Sequence, residues 1–357
     1  MQFSPQTRRQ WRQFRRIKRG YFSLIALCGL LLIAIGAELL VNSRALIVKY
    51  DGEFYFPTYG GFIAGETFGL PYAYETNYRE LKADFDRRRV AALEAGAEPP
   101  GDWLLLPPVP FNPFENDFRE DAFPPYAPSY EYRHFLGTDV TGRDILARLV
   151  YGFRLAMIFA TILLACNYLI GIIVGCAMGY WGGAFDLFFQ RLIEIWSNVP
   201  FLYVIMIIAS VIVPNFWTLV IVMVIFGWMS MTWYMRTSTY KERAREYVAA
   251  AQALGASSAR IIFRHILPNA ISIIVTFIPF SVATGVTALT ALDYLGFGLP
   301  PPTPSWGELL SQGTANLQSP WIVISVVVAM TVVLLMVAYI GEAIREAFDP
   351  KQYAFYE

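Results

Sequence analysis

The residues that most often carry chemistry in proteins are few in this sequence and stand far apart. The three cysteines are Cys28, Cys166 and Cys176, with no C-x-x-C pair, and the two histidines are His134 and His265. Such a distribution supports neither a disulfide framework nor a zinc site. The sequence also has no G-x-S-x-G or Ser-His-Asp pattern, so we predict that the chain is not an enzyme.

Chemistry that uses ATP or a proton gradient also lacks its usual residues. None of the five lysines is followed by Ser or Thr, as a phosphate-binding Walker A loop requires. We therefore predict no bound ATP, magnesium or other cofactor. A proton pump or secondary carrier usually carries ionisable residues deep in its membrane spans, and the five long apolar runs after residue 150 contain none. Transport is compatible with these absences, but its energy source must lie outside the chain.

The composition indicates a membrane protein. Hydrophobic residues make up 56% of the chain and charged residues 16%, whereas a soluble domain has roughly 25% charged residues. About 20 apolar residues in a helix cross a bilayer. We predict six transmembrane helices, with an uncleaved anchor over residues 21–41 and the other five within a core of residues 151–341. The apolar runs are Phe22–Val41, Leu155–Gly179, Val199–Val213, Phe216–Met235, Ala270–Leu292 and Trp321–Ile340.

The positions of the charges predict the orientation. Residues 1–20 hold seven bases and no acid, and residues 236–265 hold six bases and two acids. Residues 293–320 hold two acids and no base. Basic loops stay in the cytoplasm, so residues 1–20 form a cytoplasmic arm. Six spans then return the chain to the same side, so we predict that residues 342–357 form a cytoplasmic tail and that both termini are cytoplasmic. The net charge is zero, which gives no basic excess for nucleic acid.

Residues 42–150 form a large periplasmic segment in this topology. Prolines and aromatic residues alternate between Pro99 and Pro128, which predicts an extended, irregular chain. The one clear regular element is a helix over Tyr78–Ala95, ended by Gly96. The aromatic side chains either pack within the segment or form a docking surface for an external partner. A polar group near the end of the segment either caps a helix or contacts substrate, and it comprises Asp139, Thr141, Arg143 and Asp144.

The second predicted span contains a series of small residues. Gly171, Gly175 and Gly179 are spaced by four positions and therefore lie on one helix face, where a neighbouring helix can approach closely. We predict that these glycines serve helix packing. Asn167 on the same helix either bonds to a neighbouring helix or lines a pathway.

The loop over residues 236–269 is the predicted docking element. Tyr247, Ala250, Ala251 and Leu254 follow helical spacing and form one apolar stripe. Gly255 then supplies a left-handed stop. A second helical stretch, 257–267, ends before Pro268. We call residues 236–269 the coupling loop.

This loop resembles the segment that inner-membrane subunits of ATP-binding-cassette (ABC) importers insert into their ATPase partners. The resemblance lies in YVAAAQALG and HILPN. Ala249 and His265 depart from the family-wide form in the manner of the peptide-importer branch. The resemblance implies that the ATPase-coupling residues are Glu246, Tyr247, Ala250, Ala251, Leu254 and Gly255.

Further blocks across residues 134–350 are similar to the same branch. They are HFLGTDVTGRDILARLVYGFRL, GYWGG, LDYLGFGLPPPTPSWGELL and GEAIREAFDP. RRIKRGYFSL and ELLVNSRALIVKYDGEFYFP resemble the permease of the microcin C type of peptide importer. The resemblance also implies an outer loop that either gates the path or contacts a receptor, or is purely structural. Its residues are Gly296, Gly298, Pro301, Pro302 and Trp306.

The resemblance implies an all-α, multi-pass protein of the bacterial inner membrane with the type I ABC importer permease fold. Its expected function is half of a peptide translocation channel that works by alternating access. The expected partners are a second related permease subunit, two ATPase subunits or one fused ATPase that bind the ATP and magnesium, a periplasmic solute-binding protein, the peptide substrate and membrane lipid. A self-contained channel or secondary carrier without ATPase partners is the alternative. The sequence does not distinguish which peptide is carried.

Overall fold

The computed structural model describes residues 5–119 and 122–348. The first four residues of the predicted basic arm and positions 349–357 of the predicted tail lie outside the described residues. The helices are α1 (Pro5–Arg16), α2 (Lys18–Ile35), α3 (Ala37–Leu40), α4 (Pro57–Gly60), α5 (Tyr78–Glu94), α6 (Ile145–Trp181), α7 (Gly183–Ser197), α8 (Phe201–Val211), α9 (Phe216–Arg243), α10 (Glu246–Ala253), α11 (Ser258–Ile261), α12 (Leu267–Tyr294), α13 (Trp306–Ala315) and α14 (Pro320–Phe348). The strands are β1 (Ile47–Tyr50), β2 (Glu53–Tyr55) and β3 (Trp103–Leu105).

Among the described residues, five helical segments are long and apolar enough to cross a membrane. They are α2, α6, α9, the segment Ser258–Tyr294 and α14. The remaining predicted span, Val199–Val213, corresponds to α7 and α8, which pass the same test together but are bent by 67° at a short break. Pro200 stands at the start of α8 and has no N–H to continue the helix before it. The count of six therefore stays a prediction that depends on this bent pair.

The first predicted span, 21–41, forms two helices. The helix α2 begins earlier, at Lys18, and ends at Ile35, and α3 follows Gly36. The carboxylate of Glu38 in α3 lies 2.8 Å from Nη1 of Arg154. An ion pair with a neighbouring helix lowers the cost of a charge at this depth.

The chain forms two compact units, and the first contains most of the apolar helices. It comprises Met1–Cys28, Ala156–Pro300 and Met330–Glu357. Small residues hold its helices close together: Gly20 of α2 lies against Ala343 of α14, and Gly285 of α12 against Ala160 of α6. A hydrogen bond of 2.8 Å joins Tyr168 of α6 to Ser281 of α12.

The second unit comprises Gly29–Leu155 and Pro301–Ala329 and contains a small antiparallel sheet of order β2-β1-β3. The helix α5 lies where the sequence predicts it, with Asn77 capping its first turn. A buried cluster includes Val48 of β1 and Phe68, Leu81 and Phe85. The prediction that this helix is the one regular element of the segment is wrong, because three short strands accompany it.

The proline-rich stretch is irregular, as predicted. After β3, the described residues form no named helix or strand until α6 begins at Ile145. Among its aromatic side chains, Phe111 and Tyr126 are buried whereas Phe118, Phe123 and Tyr130 are exposed. A docking role for the exposed ones stays a prediction.

The second helical stretch of the coupling loop does not end before Pro268, so this prediction is wrong. The chain passes from α11 through a π-helical turn, Ile262–Ile266, directly into α12. Pro268 lies in the first turn of α12, where a missing N–H is tolerated. The wider π turn before it, closed by the bond from Leu267 N to Ile262 O, lets the helix continue past the proline ring.

Candidate coupling site

The helix α10 has a defined start and a defined end. Arg245 is extended at the N-cap, and Glu246 is in the first turn, where a carboxylate is favoured by the helix dipole. At the other end Gly255 has φ +75°. The N–H of Gly255 donates to Gln252 O at 2.9 Å, and that of Ala256 to Ala251 O at 3.0 Å. These bonds form the Schellman motif, which favours glycine at the left-handed position.

One face of α10 is fixed to the body of the first unit. Val248 is fully buried and Ala251 nearly so. These two side chains pack in one apolar cluster with residues of α6, α9, α11, the π turn and α12, so a movement of α10 displaces those helices. The other buried members are Cys176, Tyr180, Met231, Met235, Ile261, Ile262, Ile266 and Ala270.

Polar side chains reinforce this attachment. The hydroxyl of Tyr247 donates to Oε2 of Glu242 at 2.7 Å and accepts from Nδ2 of Asn269 at 3.0 Å. Partial burial, followed by the hydrogen bond to Glu242, raises the pKa of Tyr247 above its ordinary value. The hydroxyl therefore stays protonated at neutral pH and can donate to the carboxylate. Nε2 of Gln252 also reaches the hydroxyl of Tyr180, at 3.3 Å.

The opposite face of α10 has no covering among the described residues. Ala249, Ala250, Ala253 and Leu254 are exposed, and Leu254 is 88% exposed. The prediction of a single stripe over Tyr247, Ala250, Ala251 and Leu254 is wrong, because Tyr247 and Ala251 turn inward whereas Ala250 and Leu254 turn outward. The outward face is built from small side chains with one projecting leucine, and it suits close contact with a partner protein.

An ion pair stabilises α9, the helix that precedes α10 in the chain. Asp186 of α7 contacts Arg236 of α9 at two points, Oδ1–Nε and Oδ2–Nη2, both 2.6 Å. Two glycines with positive φ, Gly182 and Gly183, form the turn before α7 and bring Asp186 toward α9. The GYWGG block and the following aspartate therefore belong to the support of the coupling site.

The predicted glycine series lies along α9. An ideal Cβ on Gly175 would stand 2.5 Å from the carbonyl oxygen of Thr232, and one on Gly179 the same distance from that of Arg236. Gly171 meets Trp228 O at 2.9 Å. Each glycine thus faces a backbone carbonyl one turn further along α9, so the two helices touch through their backbones.

A cavity of about 360 Å³ lies among α6, α9 and α12. No charged side chain lines it, and its polar groups include Asn167, Tyr168, Ser230, Ser281 and Thr284. Oδ1 of Asn167 is buried without a hydrogen-bond partner. Asn167 therefore borders the cavity, where its carbonyl oxygen can accept a hydrogen bond.

The predicted outer-loop residues occupy different environments. Gly296 is exposed and has φ +78°, whereas Gly298 is buried against Asp293, whose carboxylate accepts from Leu299 N at 2.7 Å. Pro301 and Pro302 are exposed. Trp306 is buried.

Trp306 belongs to the interior of the second unit. Its indole N–H donates to Leu149 O at 3.0 Å, and its ring stacks on Phe153 with centroids 5.9 Å apart. Gly152 leaves room for the ring, because an added Cβ would lie 3.0 Å from it.

Sequence reasoning missed a buried ion network in the second unit. Arg148, which is fully buried, pairs with Glu308 and donates to the carbonyl oxygens of Pro113, Pro302 and Thr303. Glu308 also pairs with Arg143 at 2.8 Å. The buried guanidinium of Arg148 therefore holds the backbone of the outer loop at Pro302 and Thr303. The sequence shows arginines in one block and acids in the distant block that contains Glu308, but not which of them pair.

The polar group Asp139, Thr141, Arg143 and Asp144 forms turns and a helix cap. Oδ1 of Asp139 accepts from Thr141 N at 2.9 Å and Arg143 N at 3.0 Å. Oδ1 of Asp144 accepts from Ala147 N at 2.7 Å, in the first turn of α6. Asp139 and Asp144 are almost fully buried.

Within residues 5–119 and 122–348, no three His, Cys, Asp or Glu side chains are arranged to hold a metal ion. His265 is half-buried in the π turn, and its carbonyl oxygen accepts from Nδ2 of Asn269 at 3.1 Å. Cys28 is exposed, Cys166 half-buried and Cys176 buried, all as free thiols.

Comparisons with known proteins relate most of the chain to transport proteins. Residues 169–352 match the family described as binding-protein-dependent transport system inner membrane component. The chain is 40% identical to the inner membrane ABC transporter permease protein YejE of Escherichia coli (strain K12), over 98% of each chain. It is 35% identical to the peptidoglycan transport system permease protein YejE of Agrobacterium fabrum, over 98% of this chain and 94% of the relative. The oligopeptide transport system permease protein OppC of Haemophilus influenzae is 31% identical over 68% of this chain and 78% of its own length.

Proposed function

We propose that this chain forms half of a peptide translocation channel that is driven by a partner ATPase. The chain belongs to the family of binding-protein-dependent transport system inner membrane components, and within it to the peptide ABC importer permeases. It is an inner-membrane protein with several apolar spans. The proposed complex contains a second related permease, one fused or two separate ATPases and a periplasmic binding protein. Peptides, including fragments of peptidoglycan, are the proposed substrates.

The observation that carries the proposal is the two-sided character of α10. Its inward face, Val248 and Ala251, is buried in the cluster that joins α6, α9 and α12, while its outward face of alanines and Leu254 is exposed. An ATPase that moves α10 therefore acts on three apolar helices at once. Coupling also requires that the ATPase bind the two states of the channel differently.

The neutral cavity at α6, α9 and α12 is our candidate for part of the path. It lies beside the same helices that hold α10, so a shift of α10 changes its shape. Its lining offers hydroxyl and amide groups without charge, which suits peptide backbones whose side chains differ in charge.

In the proposed orientation both termini and the coupling loop lie in the cytoplasm. The seven bases of residues 1–20 and the basic excess of residues 236–265 support this topology. Reporter fusions after residues 20 and 260 should both report a cytoplasmic location, and one after residue 100 a periplasmic location.

The experiment compares one substitution on the outward face of α10 with the same substitution at an exposed position of α5. Ala250→Arg places a long charged side chain on the proposed contact without filling the core, and Ala91→Arg makes the same change at an exposed position of α5. We expect Ala250→Arg to abolish ATP-dependent peptide uptake and ATPase co-purification at normal abundance, and Ala91→Arg to leave both intact. Transport by the isolated chain in liposomes, without an ATPase, would instead establish a self-contained carrier.

A further inference from the structure

The first helix, α1, separates its arginines from its apolar residues. With 3.6 residues per turn, the arginines fall within an arc of about 120° around the helix. Phe14 lies on the other side, and Trp11 lies at the border between the two sides. All the arginines in this arc are exposed, and together they form what we call the arginine face, which consists of Arg8, Arg9, Arg12, Arg15 and Arg16.

The apolar side of α1 is held by α14. Phe14 is 5% exposed and packs in one cluster with Ala343 and Ala347. Just after α1, Gly20 lies so close to Ala343 that a Cβ there would collide with it. These contacts fix the rotation of α1 and leave the arginine face pointing away from α14.

Three of the five arginines have no acidic partner among the described residues. In the part of the chain that the structure describes, no carboxylate pairs with Arg8, Arg12 or Arg16, although Arg19 beyond the helix pairs with Glu342 at 3.3 Å. Residues 1–20 contain no acid. The guanidinium groups of Arg8, Arg12 and Arg16 therefore suit a ligand with several negative charges.

The position of α1 along the chain indicates where that ligand lies. Only Ile17 separates α1 from α2, and α2 is a candidate membrane span. Trp11 is half-exposed and stacks on Phe14 with centroids 5.6 Å apart, at the border between the buried side and the arginine face. Tryptophan is favoured at the level of lipid headgroups.

We propose that α1 is a membrane-surface helix whose arginine face binds the phosphate groups of anionic phospholipids. A guanidinium group can donate two parallel hydrogen bonds to one phosphate group. A basic amphipathic helix beside a membrane span is also attracted to an anionic leaflet. Zwitterionic lipids offer the same phosphate with a cancelling cation, so the helix selects the anionic class. This site is independent of the coupling face of α10.

The test uses the full chain in detergent, titrated with phosphatidylglycerol or with phosphatidylcholine of the same acyl chains. Bound lipid is counted by native mass spectrometry. An arginine near an anionic surface contributes about a fivefold gain in affinity. We therefore expect Arg12→Gln/Arg16→Gln to weaken phosphatidylglycerol binding on the order of 25-fold and to leave phosphatidylcholine binding unchanged.

Two control variants separate charge at this face from charge in general. Arg87→Gln/Arg89→Gln removes two exposed arginines from α5 and should leave the preference for phosphatidylglycerol intact. Arg12→Lys/Arg16→Lys keeps the charge and should retain most of the binding. Equal binding of phosphatidylglycerol by the glutamine variant and the unmodified chain would overturn the proposal.

A second outcome would also overturn it. If the glutamine variant keeps its preference for phosphatidylglycerol but no longer co-purifies with an ATPase, the arginine face binds an acidic protein surface rather than lipid.

Discussion

Asp186 and Arg236 form a two-point ion pair that ties α7 to α9, with both oxygen–nitrogen distances at 2.6 Å. Gln190 holds the same carboxylate from the side, with its Nε2 2.8 Å from Oδ2. The planar guanidinium matches the two carboxylate oxygens in a way that an ammonium group cannot. The pair therefore fixes the direction of α9 on its way to the coupling site.

Replacing Arg236 should show that the geometry of this pair, and not only its charge, is needed. Arg236→Lys keeps the charge but loses one of the two hydrogen bonds, so we expect a lower melting temperature in detergent and reduced ATP-dependent uptake. A double-mutant cycle with Asp186→Ala and Arg236→Ala should give a coupling energy of about 1.5 kcal/mol. Additive effects of the two single variants would contradict this.

Gly255 should tolerate substitution only by residues that accept its backbone conformation. No atom lies within 4 Å of an added Cβ, so strain comes only from φ +75°, at about 1–2 kcal/mol for an ordinary residue. We expect Gly255→Val to abolish uptake while membrane insertion is retained, because the end of α10 must reorganise. Gly255→Asn, which accepts the left-handed region, should keep most uptake. Normal uptake by the valine variant at normal abundance would argue against the docking role of α10.

Glycine-to-alanine substitutions at Gly175 and Gly29 should change the melting temperature in opposite directions. At Gly175 the new methyl would meet the Thr232 carbonyl at 2.5 Å, which forces α6 from α9 and costs about 1–3 kcal/mol. At Gly29 of α2 no atom lies within 4 Å, so alanine should stabilise the helix by about 0.5–1 kcal/mol. Melting temperatures of the two variants in detergent test both signs. A stabilised Gly175→Ala would show that the backbones are not in contact.

Features with strong local determinants were predictable from the sequence. The apolar runs place the spans, since hydropathy reports directly on transfer into lipid. The end of α5 and the end of α10 follow from Gly96 and Gly255, both of which have positive φ. In these cases a single residue type or a long composition signal decides the structure.

Features that depend on distant neighbours were not predictable. The inward face of α10 is set by α6, α9 and α12, and alanine is apolar whichever way it points, so periodicity could not separate Ala250 from Ala251. The continuation past Pro268 depends on the π turn before it. The pairing of β1 with β3 joins residues that are far apart in sequence, and each strand is too short for its pattern to be read alone.

We expect some outer-loop residues to affect uptake and others to affect the melting temperature. Pro301 and Pro302 are exposed, whereas Trp306 is buried and bonded to Leu149 O. We expect Pro301→Ala to lower uptake with little change in melting temperature, if this surface gates the path or contacts the binding protein. Trp306→Phe keeps the stacking on Phe153 but loses the hydrogen bond, at a cost of about 1 kcal/mol, and should lower the melting temperature. A stable Trp306→Phe with reduced uptake would reverse the assignment.

His134 should make the stability of the chain depend on pH. The ring is fully buried, with Nδ1 2.7 Å from Oδ2 of Asp144 and Nε2 3.1 Å from Oδ2 of Asp117. Burial lowers its pKa, but the hydrogen bonds and charges of the two carboxylates outweigh this, and the net pKa lies above the ordinary 6.5. The hydrogen bond from His134, opposed in part by burial, lowers the pKa of Asp117 below 3.8.

The sign of the effect follows from these two directions. A histidine with a raised pKa in the folded state contributes its full stability below pH 6.5 and loses it as the pH rises through the folded value. Asp117 contributes stability above pH 3.8 and loses it as the pH falls through its lowered pKa. The melting temperature of the full chain should therefore exceed that of His134→Gln by more at pH 5.5 than at pH 9. A larger difference at pH 9 would mean that folding lowers the pKa of His134 below its ordinary 6.5, so that the buried ring is neutral in the folded protein.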